Sequence, residues 1–215
     1  MPERGARACA FVATALAGAA ALAQVPSAPR TYQVTGIRAD AVLNVRARPS
    51  VTAEDLGDLA GGAAPLEVLE TDARGEWGRI LWREGDGWVA LRYLSPLEPP
   101  RVAGTALPLG LRCAGTEPFW SATLTAPGAL RIDQLGADAP RDAILVASAE
   151  SRNGLKFPVA LEARDQAAHY TLLVRPAQCT DGMTERNYGW SADLLWRRAD
   201  GMALLSGCCG VPLRD

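Results

Sequence analysis

A chain of 215 residues, 48% hydrophobic and 21% charged, has the composition of a folded globular protein and room for one or two ordinary domains. Its formal charge of −2, with both signs mixed along the sequence, supplies no basic field to neutralise phosphates or anionic lipid, which argues against nucleic acid as a partner.

The chain opens like an export signal. Arg4 and Arg7 give a positive start, Ala8 to Leu22 an uncharged Ala-rich stretch, and Ala21-Leu22-Ala23 a small-residue cleavage site. Residues 1–23 are therefore expected to be removed, with the mature chain beginning near Gln24 and residing in the periplasm or outside the cell. The apolar run is about 15 residues, short of the roughly 20 that span a bilayer, so no stable membrane insertion is expected after cleavage. Cys9 precedes most of that run and is not placed to carry a lipid anchor.

Residues 31–97 show short strand-like runs broken by Gly, Pro, Asp and Asn, with no amphipathic stretch long enough for a helix of several turns. Strands are expected at Tyr32–Thr35, Val42–Arg46, Leu66–Glu70, Gly78–Trp82 and Trp88–Ala90, with turns at Asp72–Glu76 and Glu84–Gly87. In these runs one face reads as core and the other as wet. The ordered series Leu43-Asn44-Val45-Arg46-Ala47-Arg48-Pro49-Ser50, Leu56-Gly57-x-Leu59, Leu66-Glu67-Val68-Leu69, Trp77-Gly78-Arg79-Ile80, Gly87-Trp88-Val89 and Tyr93-Leu94 resembles the bacterial SH3 domain. That resemblance implies a five- or six-stranded barrel and non-catalytic attachment to cell-wall peptidoglycan or another envelope ligand. Trp77 and Trp82 are the candidate groove aromatics, since a ring gives large contact area at low entropy cost. At least one of them is expected to be exposed, whereas Trp88 is expected in the core. Arg46 and Arg48 are candidates to reach carboxylates of wall peptides.

Pro96, Pro99, Pro100 and Pro108 punctuate the next stretch, and residues 98–109 read as a linker. Beyond it, 110–215 carries strand-like runs at Ser121–Thr125, Leu130–Asp133, Ile144–Ala147, Phe157–Glu162, His169–Val174, Ser191–Trp196 and Ala203–Cys208. Tyr188, Trp190, Ala192, Leu194 and Trp196 alternate at period two, as a strand with one buried face requires. A short helix over Asp142–Ser151 is the competing reading there. The fold class is thus all-β: an SH3-like barrel followed by an antiparallel barrel or sandwich.

Four cysteines, Cys113, Cys179, Cys208 and Cys209, remain after signal removal, an even count that suits disulfides in an oxidising compartment. A vicinal Cys208–Cys209 bond would be strained; the two other pairings stay open. Paired C-x₂-C spacings are absent and His169 is the single histidine, so neither a metal site nor a cofactor is expected.

The segments Cys113-Ala114-Gly115-Thr116-Glu117-Pro118-Phe119-Trp120 and Cys179-Thr180-Asp181-Gly182-Met183, with Gly207-Cys208-Cys209-Gly210, resemble an uncharacterised family of exported bacterial proteins, which implies location and fold more than activity. Glu117, Asp181 and Arg186 are candidate site residues. Asp181-Gly182 also suits a turn, and Glu117 suits a hydrogen bond from backbone or from Arg186. The leading expectation is a non-enzymatic binding protein whose partner is peptidoglycan or an envelope protein. The alternatives are a wall-directed hydrolase using Glu117 and Asp181, and an inhibitor of a foreign lysozyme-type hydrolase.

Overall fold

The computed structural model describes residues 27–213 apart from 127, 135, 136 and 138. The expected signal segment, with Arg4, Arg7 and Cys9, lies outside the described residues.

The first unit is built from β1 (Arg30–Val34), β2 (Val42–Arg46), β3 (Asp55–Ala60), β4 (Leu66–Val68), β5 (Glu70–Thr71), β6 (Trp77–Trp82), β7 (Gly85–Ala90) and β8 (Leu94–Pro96), with one 3₁₀ turn at Leu91–Tyr93. A three-stranded sheet β4-β1-β8 faces a five-stranded sheet β3-β2-β7-β6-β5. Period-two alternation turns Val34, Leu43, Val45, Leu66, Ile80 and Val89 into the shared core. The turn after β5 forms because the Asp72 carboxylate accepts N–H bonds from Glu76 at 2.7 Å and Trp77 at 2.8 Å. The next turn is tighter than the expected Glu84–Gly87: β7 already begins at Gly85, and Arg83 takes a positive φ of 52° to close the hairpin. Strand β3 is the element that the alternation alone does not reveal. Its Gly57 interrupts the pattern, and its Leu59 is buried while Leu56 is half-buried.

The second unit is a closed antiparallel barrel of eight strands: β9 (Arg112–Thr116), β10 (Phe119–Ala126), β11 (Ala129–Gln134), β12 (Arg141–Ser151), β13 (Lys156–Arg164), β14 (Ala168–Cys179), β15 (Tyr188–Arg198) and β16 (Gly201–Gly210). Each strand pairs with the next, and β16 returns to β9 to close the circle. The helix considered over Asp142–Ser151 is strand β12. Trp190, Ala192, Leu194 and Trp196 point inward as their alternation requires, beside Tyr170, Leu172 and Leu161. The barrel is therefore a packed core rather than a channel.

The proline-punctuated stretch between the units folds onto the barrel. Its prolines prevent a continuous strand, yet Val102 and Leu107 are apolar, and both are buried in the barrel core. A Val102 N–H bond to the Leu107 carbonyl at 3.0 Å and an Arg101–Pro108 bridge hold them there.

The disulfides join Cys113 to Cys209 and Cys179 to Cys208. Strand alternation explains why neighbouring cysteines take different partners. Cys209 sits opposite Cys113 in the β16–β9 register, with both inside the barrel, so Cys208 must face outward, where Cys179 meets it. Two positions before Cys209, Gly207 lets β16 lie against β9. A Cβ there would collide with the Ala114 carbonyl oxygen and stand 3.0 Å from the Gly115 nitrogen. Backbone cannot yield without opening the closing pair of strands, so Gly207→Ala is expected to destabilise the chain by about 2 kcal/mol or more. An unchanged thermal midpoint would contradict this account of closure.

Candidate functional site

On the SH3-like unit the candidate residues separate by depth. Trp77 is buried and belongs to the core rather than to a groove. Trp82 is half-buried: its indole N–H donates to the Leu56 carbonyl at 3.1 Å, its ring covers the Gly57 backbone, and the Arg83 guanidinium lies 5.5 Å from its centroid. The expected exposure of one of these two rings is therefore not met. Trp88 departs from expectation in the opposite sense. It is half-buried on the outer face of β7, while its neighbours Gly87 and Val89 take the core side.

Cross-strand register surrounds Trp88 with arginines. Arg46 of β2 and Arg79 of β6 are its direct partners, so the three side chains share one face. Both guanidiniums are held by carboxylates, Arg46 by Asp55 at 3.2 Å and Arg79 by Glu70 at 2.8 Å and by Asp86. The result is an aromatic platform between two fixed, locally neutralised cations. Arg48 is exposed in the loop after β2, and its side chain makes no hydrogen bond or ion pair among the described residues.

In the barrel, the Glu117 and Asp181 loops meet where the Thr116 hydroxyl donates to the Asp181 carbonyl at 3.2 Å. Their carboxyl groups have different surroundings. Glu117 is exposed at the β9–β10 turn. Asp181 caps its own loop, accepting from the Met183 N–H at 3.0 Å, the Thr184 N–H at 2.8 Å, the Thr184 hydroxyl and the Tyr188 hydroxyl. Partial burial opposes its ionisation, but these donors outweigh it and hold the carboxyl below the ordinary range. Asp181 is thus a turn-former of the kind its Asp-Gly context suggests. Arg186 does not pair with Glu117: its Nε–H donates to the Arg83 carbonyl and its second nitrogen lies 3.4 Å from Glu84, both on the SH3-like unit.

That contact belongs to a seam between the two barrels, which sequence reasoning did not find. Asn187 donates its backbone N–H to Asp86 at 3.1 Å and its side-chain amide to the same carboxylate at 2.7 Å. At the centre, Glu67 of β4 accepts the Trp190 indole N–H at 3.0 Å and the Val211 N–H at 2.8 Å. Glu67 is 5% exposed. Burial pushes its carboxyl up to about 7, against the lowering effect of the Val211 and Trp190 bonds. Flanking segments cross over as well, since Ala28 packs on the barrel core and Leu213 on the SH3-like core.

Together these features define a two-part all-β protein, an SH3-like barrel docked through a buried carboxylate onto a disulfide-bonded eight-stranded barrel. The family model for the bacterial SH3 domain matches residues 41–95, from just before β2 into β8. No curated protein and no solved structure shows a significant match to the chain. No helix among the described residues is long and apolar enough to cross a membrane, and no cluster of metal-binding side chains occurs among them.

Proposed function

We propose that this is an exported, non-catalytic binding protein of the bacterial envelope, whose SH3-like unit attaches to peptidoglycan. The observation that carries the reading is the bacterial SH3 match over residues 41–95, because domains of that family commonly bind cell-wall material. Two disulfides suit an oxidising compartment. The resemblance of the Glu117 and Asp181 motifs to an exported family supports the same location. Engagement of Asp181 by its own loop favours binding over hydrolysis, since a carboxylate saturated with donors is a poor general base.

Within the unit, the Trp88 face is the surface best suited to a sugar or short peptide. The ring is stiff, partly exposed and flanked by Arg46 and Arg79 held in place. Titration of the oxidised protein with soluble muropeptides, followed by tryptophan fluorescence and calorimetry, tests this. Trp88→Ala is expected to weaken binding by about tenfold, the equivalent of about 1.4 kcal/mol. Equal affinity in the variant would move the site elsewhere on the unit, and no saturable binding by the unaltered protein would remove the wall reading.

A further inference from the structure

Beside Glu67 the seam opens into a cleft of about 380 Å³, within the range of small-molecule sites. Its barrel wall is the outer face of β9 and β16. Because Cys113 and Cys209 point inward, Arg112 and Gly210 point outward, and the β16–β9 register sets these two directly opposite each other. A Cβ at Gly210 would stand 3.1 Å from Glu67 Oε2 and 3.2 Å from Leu81 Cδ1. The absent side chain is what lets the SH3-like unit approach, and it places the base of Arg112 beside the cleft floor. Leu66, Leu81 and Leu213 supply apolar lining.

Among the described residues, three arginines border the cleft against one carboxyl. They are not equivalent. The Arg83 guanidinium lies against Trp82, and Arg186 is taken by the Arg83 carbonyl and Glu84. Arg112 is exposed and makes no side-chain hydrogen bond or ion pair among the described residues. A surplus of positive charge and one uncommitted guanidinium beside an apolar wall complement an anion with a small apolar body. A guanidinium presents two parallel N–H donors that match a carboxylate. We propose that this cleft binds a small amphipathic organic carboxylate, its anionic end paired with Arg112 and its apolar part against Leu66, Leu81 and Leu213. The site is separate from the Trp88 face and does not depend on wall attachment.

The test uses the full oxidised chain labelled with ¹⁵N, because the Trp190 indole N–H donates to Glu67, which lines the cleft, and so reports on a change there. Two carboxylate probes distinguish the sources of such a group: acetyl-alanyl-alanine for a peptide C-terminus and hexanoate for an acyl chain. Acetyl-alanyl-alanine amide and inorganic phosphate are the controls. A saturable shift of the indole signal with at least one carboxylate at millimolar concentration, none with the amide, and about tenfold weaker binding in Arg112→Gln are expected. Arg152→Gln, at the exposed β12–β13 turn, is expected to bind as the unaltered protein does. The proposal is overturned by no saturable shift with either carboxylate, by an equal shift in Arg112→Gln, or by a response to phosphate alone. Sacculus binding is not part of the readout, so its failure would leave these outcomes as they stand.

Discussion

Glu67→Ala is expected to lower the unfolding free energy of the chain by about 3 kcal/mol, because it strands two buried donors, each costing roughly 1–3 kcal/mol when unpaired. These are the Trp190 indole N–H and the Val211 N–H. Urea unfolding followed by tryptophan fluorescence measures the loss, and a change below about 0.5 kcal/mol, the range of ordinary surface substitutions, would contradict a seam held by this carboxylate. The same residue gives the chain a pH dependence whose sign follows from burial. Its carboxyl goes from the ordinary 4.5 to about 7 on folding, so the folded protein binds the proton more tightly than the unfolded chain. The proton-linked part of its stability is full below about pH 4.5, declines as pH rises through 7, and is gone above that, while the two accepted N–H bonds remain. The span is on the order of 3 kcal/mol. Comparing the unaltered protein with Glu67→Gln isolates this contribution, since glutamine does not titrate. A Glu67-dependent stability that rises with pH would reverse the account.

The larger expected loss comes from the disulfide that closes the barrel. Cys113 and Cys209 are 96 residues apart, against 29 for Cys179 and Cys208. Loop-closure entropy then assigns about 4.7 kcal/mol to the first bond and about 3.6 kcal/mol to the second. Replacing Cys113 and Cys209 together by alanine is expected to reduce stability more than replacing Cys179 and Cys208. The ordering is reinforced by position, because the first pair lies within the barrel core and spans its closing strands. Denaturant midpoints of the two double variants decide the matter. An equal or inverted ranking would mean that restriction of the unfolded chain does not govern these bonds.

Much of the architecture was legible because it rests on local patterns. Strand β2 occurs at Val42–Arg46 as its alternation and flanking turns require, and the run from Trp190 to Trp196 turns the expected residues inward. Asp72 and Asp181 behave as Asp residues in turns do, spending their oxygens on nearby N–H groups. The disulfide pairing was open in the sequence, and it became determinate only with strand register, which sends Cys208 and Cys209 to opposite faces. Trp88 was misplaced because alternation alone does not say which phase of Gly87-Trp88-Val89 is core; the small Val89 fills that position and the larger ring stays outside.

The seam was illegible for a different reason. In Leu66-Glu67-Val68, period two predicts a solvated glutamate, and it would be solvated on an isolated barrel. Instead the second unit covers that face, so all three residues are buried. Nothing in the local pattern of β4 encodes a partner located more than a hundred residues away. Gly210 and Asn187 carry no signal individually either, and acquire meaning only where they meet Glu67 and Asp86. Val102 and Leu107 were hidden by the opposite effect, since prolines around them suggested a spacer while their own side chains fill the barrel end.

Because the two units share a buried seam, wall attachment is best measured on the intact oxidised protein. Co-sedimentation of residues 24–215 with purified peptidoglycan sacculi, at low and moderate salt, measures that attachment. Saturable pelleting that survives moderate salt and is diminished in Trp88→Ala is expected. A protein that stays in the supernatant with sacculi under both conditions would contradict attachment of the SH3-like unit to the wall.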